Sequence, residues 1–157
     1  MKQIDPLNQV AAFHRTFGHP IEEKPTLPAK GRQELRVALL EEELKELKQA
    51  IEDKDLVEVA DALCDIQYVL SGAILEFGLG EKFPDLFDEV QRSNMSKTCK
   101  DLEEAKATQK YYKEERGFDS TIEPSGDHFL VFRKPDRKTL KSINYSPADL
   151  KSILDKA

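Results

Sequence analysis

The stretch that decides the fold is residues 32–77, RQELRVALLEEELKELKQAIEDKDLVEVADALCDIQYVLSGAILEF. Its apolar residues recur every three or four positions, which predicts two long helices, one from about Arg32 to Glu52 and one over the second half of the stretch. Asp55 is a typical N-cap for the second helix, and Gly78 is a natural stop after it. Because the turn between the helices is short, we expect them to lie antiparallel and side by side.

Acidic residues of the first helix lie at the edge of its apolar stripe. At about 100° per residue the stripe consists of Leu40, Leu44, Leu47 and Ile51. Glu43 and Glu46 fall beside it, and no lysine or arginine stands three or four positions from either. The outward face has lysines at the i,i+4 spacing that pairs charges, as in Lys48 and Glu52. The sequence therefore gives its exposed acids a cation and leaves the acids at the core boundary without one.

The second helix has the same arrangement. Glu58, Asp61 and Asp65 stand at i, i+3 and i+7, along the edge of an apolar face. Only Lys54, one turn before Glu58, is a cation at helical spacing. The apolar face consists of Val59, Leu63, Ile66, Leu70, Ala73 and Phe77. Carboxylates that are partly desolvated and close together repel, unless some are protonated or a cation lies among them.

Two antiparallel helices with acidic edges can bring those edges together. We call the line where these edges meet the acidic seam, and its residues are Glu43 and Glu46 of the first helix and Glu58, Asp61 and Asp65 of the second. The simplest cation for this seam is a divalent metal, and carboxylates without histidine or cysteine favour Mg²⁺ or Mn²⁺. The alternative from the residues alone is an acidic face that binds a basic protein partner without any enzymatic activity.

The flanking segments predict further helices and a small β element. Asp5 and Pro6 begin a helix that stops at Gly18, and the proline-rich loop HPIEEKPTLPAKG follows. A further helix begins at Pro84, and another ends before Gly117. The segment HFLVFRKPDRKTLKSI has two β-prone runs around a KPDR turn, which predicts a hairpin.

The last segment, SPADLKSIL, predicts a short helix with Ser146 as its cap and Pro147 as its first residue. We therefore predict an all-α protein, an antiparallel helical bundle with a small C-terminal β-hairpin. Residues 1–157 should form a single domain, with a helical core over about 5–117 and the hairpin and short helix over about 120–155.

Composition narrows the classes of partner. The chain has 157 residues, 34% charged and 39% hydrophobic, as in a soluble globular domain. A net charge of −6 argues against binding a nucleic-acid polymer, and no apolar run approaches the ~18 residues that span a membrane. Cys64 and Cys99 fit no disulfide framework, so we expect a cytoplasmic protein.

The acid pattern resembles that of a known superfamily. E-x-x-E in EEELKEL (residues 41–47) followed by E-x-x-D in EVAD (residues 58–61) is similar to the metal site of the MazG-like all-α nucleoside triphosphate pyrophosphohydrolases. This superfamily includes MazG, the dimeric dUTPases and phosphoribosyl-ATP pyrophosphohydrolase. VQRSNMSK (residues 90–97), VAAFHRTFGHP (residues 10–20) and INYSPADL (residues 143–150) resemble a MazG-like subgroup associated with dUTP hydrolysis.

The resemblance implies hydrolysis of a nucleoside triphosphate at its α-phosphate, which releases the monophosphate and pyrophosphate. Two or more Mg²⁺ ions would bridge the phosphate oxygens. The residues that match the metal ligands are Glu43, Glu46, Glu58 and Asp61. Glu42 resembles the acid that positions or deprotonates the attacking water, although it can equally be a surface residue.

Further residues have proposed roles with ordinary alternatives. Asp65 is a candidate for holding metal-bound waters, or for a hydrogen bond to a neighbouring subunit. Lys97 and Asn94 are candidates for phosphate and nucleotide contacts, with a helix C-cap as the alternative for Asn94. Arg36 could reach a phosphate or form a salt bridge, and Tyr68 could stack on a base or only pack. The three histidines, His14, His19 and His128, have no ligand spacing and receive no role.

Two helices with an acidic seam cannot bury all their apolar faces in so short a chain, so we expect a homodimer or a dimer of dimers. The proline-rich loop is expected to cover the base-binding side of the site. The leading hypothesis is a Mg²⁺-dependent pyrophosphohydrolase for dUTP or another non-standard dNTP. Phosphoribosyl-ATP pyrophosphohydrolase is the alternative within the enzyme class.

Overall fold

Helices dominate the fold. The computed structural model describes residues 4–156, which contain helices α1 to α6 and strands β1 to β3. The helices are α1 (Pro6–Phe17), α2 (Lys30–Asp53), α3 (Leu56–Glu76), α4 (Phe83–Met95), α5 (Leu102–Arg116) and α6 (Leu150–Leu154). The strands are β1 (Ser120–Ser125), β2 (His128–Arg133) and β3 (Thr139–Leu140). The predicted helical bundle with a small C-terminal β element is confirmed.

The chain divides into two compact units, with the boundary between Phe83 and Pro84 at the start of α4. Helices α1, α2 and α3 belong to the first unit, and the sheet with α5 and α6 belongs to the second. That residues 1–157 form a single domain stays a prediction.

A two-residue turn fixes the antiparallel arrangement of α2 and α3. Lys54 has a left-handed backbone (φ 58°) and ends α2, and its N–H donates to the carbonyls of Ala50 and Ile51. Asp55 then caps α3, because its carboxylate accepts from the N–H groups of Val57 at 2.9 Å and Glu58 at 3.3 Å. The chain reverses within these residues, so the start of α2 lies beside the end of α3.

Helix α1 and the proline-rich loop complete the first unit. Val10 and Ala11 of α1 pack on Leu75 of α3 in a small apolar core. The loop runs beside the end of α3, where the N–H of Glu22 donates to the Leu75 carbonyl at 3.0 Å. Gly78 makes this approach possible, because a Cβ there would lie 1.9 Å from the Lys24 carbonyl oxygen.

The apolar stripes of α2 and α3 are less buried than their periodicity predicts. Leu44 is 60% exposed, Ile51 59% and Leu63 52%, although each was placed on a core face. The pair of helices instead buries mainly small or polar positions, such as Ala50, Ala62 and Ser71. Within residues 4–83, no element covers the exposed part of these two stripes.

The second unit packs α5 on an antiparallel sheet of order β1-β2-β3. Its core contains Cys99, Ala105, Val131 and Leu140. The predicted hairpin corresponds to β2 and β3, and β1 is an additional strand that pairs with β2 from Ser120↔Arg133 to Ser125↔His128. The sequence of β1, STIEPS, has one large apolar residue and a proline, so its pattern did not indicate a strand.

The last helix begins later than the sequence indicated. Asp149 rather than Ser146 is the N-cap of α6, and its carboxylate accepts from the N–H of Ser152 at 3.1 Å. The N–H of Ser146 donates to the Ser96 hydroxyl at 3.0 Å instead. Ser146 is therefore held by a contact with a distant residue, which removes it from a capping role.

Across residues 4–156, no helix combines the length and the apolar character needed to cross a bilayer.

Candidate active site

Helices α2 and α3 bring acidic side chains near one another along their seam. Glu43 on α2 and Asp65 on α3 are half-buried, whereas Glu46 and Asp61 are exposed. Burial raises the pKa of the Glu43 carboxyl, and the negative charges of Asp65, Glu46, Glu42 and Asp61 raise it further. The two helices therefore place acids from both sides within electrostatic reach of Glu43.

These acids have no salt-bridge partner among residues 4–156. Within residues 4–156, no salt bridge joins a lysine or arginine to any of Glu42, Glu43, Glu46, Glu58, Asp61 and Asp65. On the outward face of α2, by contrast, Lys48 and Glu52 form their ion pair at 3.9 Å. The difference between seam and outward face that the sequence indicates is present in the structure.

The donor set of the seam suits a hard divalent cation, because it consists of carboxylate oxygens alone. Its geometry is open, since no group of three or more histidine, cysteine, aspartate or glutamate side chains within residues 4–156 is gathered closely enough to hold a metal. Glu43 and the four acids that act on it thus share a neighbourhood without converging on one point.

A buried ionic cluster lies between the start of α2 and the end of α3. Both oxygens of Glu76, which is fully buried, accept hydrogen bonds from arginines. Arg32 donates through Nε at 3.0 Å and through Nη2, and Arg36 donates through Nη2. Burial pushes the pKa of Glu76 up, but these hydrogen bonds and the two positive charges outweigh it and leave the pKa lowered.

His14 of α1 completes this cluster. Its Nδ1 lies 2.8 Å from the Pro20 carbonyl, which can only accept, so Nδ1 carries the proton. Its Nε2 lies 3.2 Å from Arg36 Nη2, which can only donate, so Nε2 is the acceptor. This is the neutral imidazole, in agreement with a pKa that burial and the nearby Arg36 charge lower against the opposing Pro20 hydrogen bond.

Gly72 of α3 provides the space for the cluster. A Cβ at this position would lie 2.7 Å from Arg36 Nη1 and 3.1 Å from His14 Nε2. The absence of a side chain at Gly72 therefore allows the guanidinium group to lie against the backbone of α3.

A cavity of about 240 Å³ opens beside the cluster. We call it the ring-lined cavity, and its polar and aromatic lining consists of Phe13, His14, His19, Arg32, Arg36 and Tyr68. The Phe13 ring stacks on His19 with centroids 5.7 Å apart and meets Tyr68 edge-on at 5.6 Å. Leu39 and Val69 add aliphatic walls.

The ring-lined cavity lies one helical turn from Glu43 and Asp65. Leu39 precedes Glu43 by four residues on α2, and Val69 follows Asp65 by four on α3. Four residues rise about 6 Å along a helix. Because the helices are antiparallel, both steps lead in the same direction along the seam, away from the turn at Lys54.

Two of the predicted substrate contacts lie in this region. Arg36 forms the salt bridge that was its alternative role, although it also lines the ring-lined cavity. Tyr68 lines the same cavity and is 39% exposed. Their contacts with a phosphate and a base stay predictions.

The other two predicted contacts belong to the second unit. Asn94 and Lys97 are joined by a hydrogen bond of 2.7 Å from Lys97 Nζ to Asn94 Oδ1 at the end of α4. The same segment is held against INYSPADL, because Ser93 and Tyr145 share a hydrogen bond of 3.1 Å between their hydroxyls. The two motifs that carry the resemblance in this unit are thus packed together.

His14, Glu76 and Gly72 have no role in the sequence-based interpretation, yet His14 lines the ring-lined cavity, and Glu76 and Gly72 contact or make room for Arg36 in its wall. One signal was available, because Glu76 is an acid within the otherwise apolar run SGAILEFG at the end of α3. Its partners stand 40 and 44 positions away, which no local pattern indicates.

The fold is a helical bundle with an acidic seam, and comparison with known proteins gives the family. The sequence profile of the phosphoribosyl-ATP pyrophosphohydrolase family matches residues 10–94, more than half of the chain. The protein belongs to this family, within the MazG-like all-α nucleoside triphosphate pyrophosphohydrolases, as its resemblance suggested. The match contains all of α2 and α3 with their acids, and it makes the protein a pyrophosphohydrolase.

A similar protein is found in a giant virus. The chain is 22% identical to the uncharacterized protein L479 of Acanthamoeba polyphaga mimivirus, and the match covers 93% of this chain and 94% of the viral one. The similarity extends over both units, but the viral protein's name assigns no activity.

Proposed function

We propose that the protein is a Mg²⁺-dependent nucleoside triphosphate pyrophosphohydrolase that cleaves dUTP or another non-standard dNTP to the monophosphate and pyrophosphate. The observation that carries the proposal is the seam. Within the family segment, acids from two packed helices raise the pKa of Glu43, and none of them forms a salt bridge with the residues that the structure describes. A protein that tolerates such repulsion gains if a cation and its ligand enter there.

Glu43, Glu46, Glu58 and Asp61 are the residues that would hold the metal, two or more ions per site. Bound Mg²⁺ or Mn²⁺ would supply the positive charge that a triphosphate needs beside these carboxylates and would make a nearby water more acidic. Glu46, Glu58 and Asp61 are exposed, so their side chains are free to change rotamer when a ligand arrives.

Glu42 is the proposed general base. It is exposed and next to Glu43 in the chain, and its charge acts on Glu43. In the proposed reaction a water attacks the α-phosphorus and loses its proton to Glu42, while the bond from that phosphorus to the bridging oxygen breaks. The pyrophosphate leaves with the bridging oxygen. Asp65, half-buried on the same seam, would hold ordered water.

The remaining contacts are assigned by chemistry. Lys97 offers a point charge for phosphate, and Asn94 offers both a donor and an acceptor. Arg36 and Tyr68 line the ring-lined cavity, where the base of the nucleotide, or the sugar that joins it to the phosphates, would lie.

Self-association is part of the proposal. Leu44, Ile51 and Leu63 remain more than half exposed, and Leu70 is 39% exposed. A second copy that covers these residues would bury the apolar surface that the first unit leaves open. We propose a homodimer or a dimer of dimers, in a cytoplasmic protein.

Phosphoribosyl-ATP is the second candidate substrate, because the matching family carries that name. It would use the same acids, since the bond broken is again the one beyond the α-phosphate. The two candidates differ in what must fit at the base end of the site.

A substrate panel tests both candidates. Purified protein is incubated with dUTP, the common dNTPs and NTPs, and phosphoribosyl-ATP, with and without millimolar Mg²⁺, and products are identified by phosphorus NMR. We expect pyrophosphate and a monophosphate, formed only with metal. Glu43→Gln and Asp61→Asn should abolish turnover, whereas Glu52→Gln on the outward face of α2 should retain it. Release of orthophosphate alone would contradict the proposed bond cleavage, and no turnover at all would favour a protein-binding acidic face.

A further inference from the structure

Arg32 and Arg36 bring hydrogen-bond donors to the wall of the ring-lined cavity, and the acceptors beside them already receive hydrogen bonds from these arginines. Both Glu76 oxygens accept from arginines, and His14 Nε2 accepts from Arg36. Arginine has donors only. Among the described residues, Arg36 Nε has no hydrogen-bond partner although the side chain is almost wholly buried. A ligand that meets this wall must therefore present acceptors.

The same wall carries an uncompensated positive charge. Arg32 and Arg36 contribute two charges, Glu76 cancels one, and His14 is neutral. Two arginines share one carboxylate in this wall, so an oxygen with a partial negative charge is the ligand group that the wall favours. Arg32 is the more accessible of the two arginines, with 31% of its side chain exposed.

The other walls favour a small flat ligand. Phe13, His19 and Tyr68 present ring faces and edges, which suit a planar ring. The volume of about 240 Å³ lies below the roughly 300–1,000 Å³ of cavities that enclose drug-sized molecules. A single base suits this space better than a base that carries a second ribose phosphate.

We propose that the ring-lined cavity binds the base of the nucleotide and selects a single-ring base with carbonyl oxygens, the chemistry of uracil and thymine, with Arg32 and Arg36 as specificity-determining residues. The inference rests on the proposed function, which places the triphosphate at the acids of the seam, of which Glu43 and Asp65 lie one turn from the cavity. In cytosine an amino group replaces one of the two carbonyl groups, so a hydrogen-bond donor would face the donors of Arg32 and Arg36. Adenine has no carbonyl, and in phosphoribosyl-ATP it also carries the extra ribose phosphate.

Binding of free nucleosides tests this selection without the metal site. Deoxyuridine and deoxycytidine carry no phosphate and differ only at one edge of the base, so their dissociation constants from NMR titration report on the wall alone. We expect deoxyuridine to bind at least about ten-fold more tightly, the difference that one charge-assisted hydrogen bond makes. Equal affinities, or tighter binding of deoxycytidine, would overturn the proposal.

Two variants localise the effect. Arg32→Gln keeps a donor for Glu76 and leaves the more buried Arg36 pair in place, so it should fold and bring the ratio of the two affinities close to one. Leu35→Trp, at a cavity-lining position that is 40% exposed, should fill the cavity and abolish binding of both nucleosides. Arg116→Gln on α5 is the control and should keep the wild-type ratio.

An unchanged ratio in Arg32→Gln, or undiminished binding in Leu35→Trp, would show that the base does not lie in this cavity. The turnover panel separates the two proposals. Pyrophosphate release without nucleoside selectivity would support the proposed enzymatic activity and contradict base selection by the ring-lined cavity. Selective nucleoside binding without any pyrophosphate release would retain the pocket and reject the enzyme.

Discussion

Arg36 of α2 and Glu76 of α3 form an ion pair with both side chains buried, although 40 residues separate them in sequence. The pair ties the beginning of one helix to the end of the next, opposite the turn that joins them. It also places a guanidinium group in the wall of the ring-lined cavity. Stability and the proposed specificity therefore share the same residues.

Glu76→Gln should destabilise the protein by about 3–5 kcal/mol, because it leaves two arginines near a buried site without their carboxylate. The free energy of unfolding from urea denaturation at pH 7 measures the loss. Glu34→Gln is the control, since Glu34 pairs with Lys30 at 3.4 Å on an exposed surface and should cost less than about 1 kcal/mol. Similar losses in the two variants would contradict a structural role for the buried pair.

Gly72→Ala should lower stability by about 1–3 kcal/mol, because the added methyl group would lie 2.7 Å from Nη1 of Arg36, whose guanidinium group Glu76 holds in place through Nη2. Gly31→Ala is its matched control in α2, where a Cβ would meet nothing within 4 Å. That control should be neutral or stabilising by up to about 1 kcal/mol. Thermal unfolding of both variants gives the comparison, and a neutral Gly72→Ala would show that the cluster can shift without cost.

The lowered pKa of His14 predicts that the protein loses stability in mildly acidic solution. Its pKa in the folded protein lies below the ordinary value of 6.5, so the unfolded chain takes up the proton first as pH falls. The stability contributed by neutral His14 is complete above about pH 6.5 and is lost progressively as pH falls through the folded pKa. The slope is at most about 1.4 kcal/mol per pH unit for one proton.

The melting temperature of wild type and His14→Gln between pH 8 and pH 5 measures this dependence. The variant should show a flatter profile over this range, because glutamine does not titrate and its oxygen can still accept from Arg36. His128→Gln, at an exposed strand position, should follow the wild-type profile. Parallel profiles for all three proteins would remove His14 as the cause.

Glu43→Gln should stabilise the metal-free protein at pH 7 by a few tenths of a kcal/mol, since it removes a charge that its acidic neighbours oppose. The pKa of Glu43 is raised, so the penalty is absent below its ordinary value of 4.5 and develops as pH rises through the folded pKa. The gain should therefore vanish in acid. Added Mg²⁺ should raise the melting temperature of wild type and not of the variant, and an equal Mg²⁺ effect in both would contradict a metal at Glu43.

Leu63→Lys should convert the protein to a monomer of 17.9 kDa, because it places a charge on the apolar surface proposed to meet a second copy. Sedimentation equilibrium gives the mass. Leu102→Lys, a change of the same kind at a position 42% exposed on α5, should keep the wild-type mass. A wild-type protein that already sediments as a monomer would reject the proposed association.

Local signals in the sequence were sufficient for the helices and for the acidic seam. Asp5, Asp55 and the terminal glycines cap or stop helices through contacts with residues a few positions away, so their types alone indicate where helices begin and end. The E-x-x-E and E-x-x-D spacings follow from the helical period in the same way. The roles of the metal ligands and of the substrate contacts stay predictions. The sequence supplies suitable residue types, but no three acidic, histidine or cysteine side chains within residues 4–156 lie close enough together to hold a metal.

The tertiary structure alone decided the strand β1, the start of α6 and the cluster of His14, Arg36 and Glu76. Strand β1 is held by its pairing with β2, and Ser146 is held by Ser96, 50 positions away. Arg36, for which the sequence allowed either a phosphate contact or a salt bridge, pairs with Glu76, 40 residues further along the chain. Contacts between distant residues depend on how elements pack, and the period of a single helix or strand carries no information about that packing.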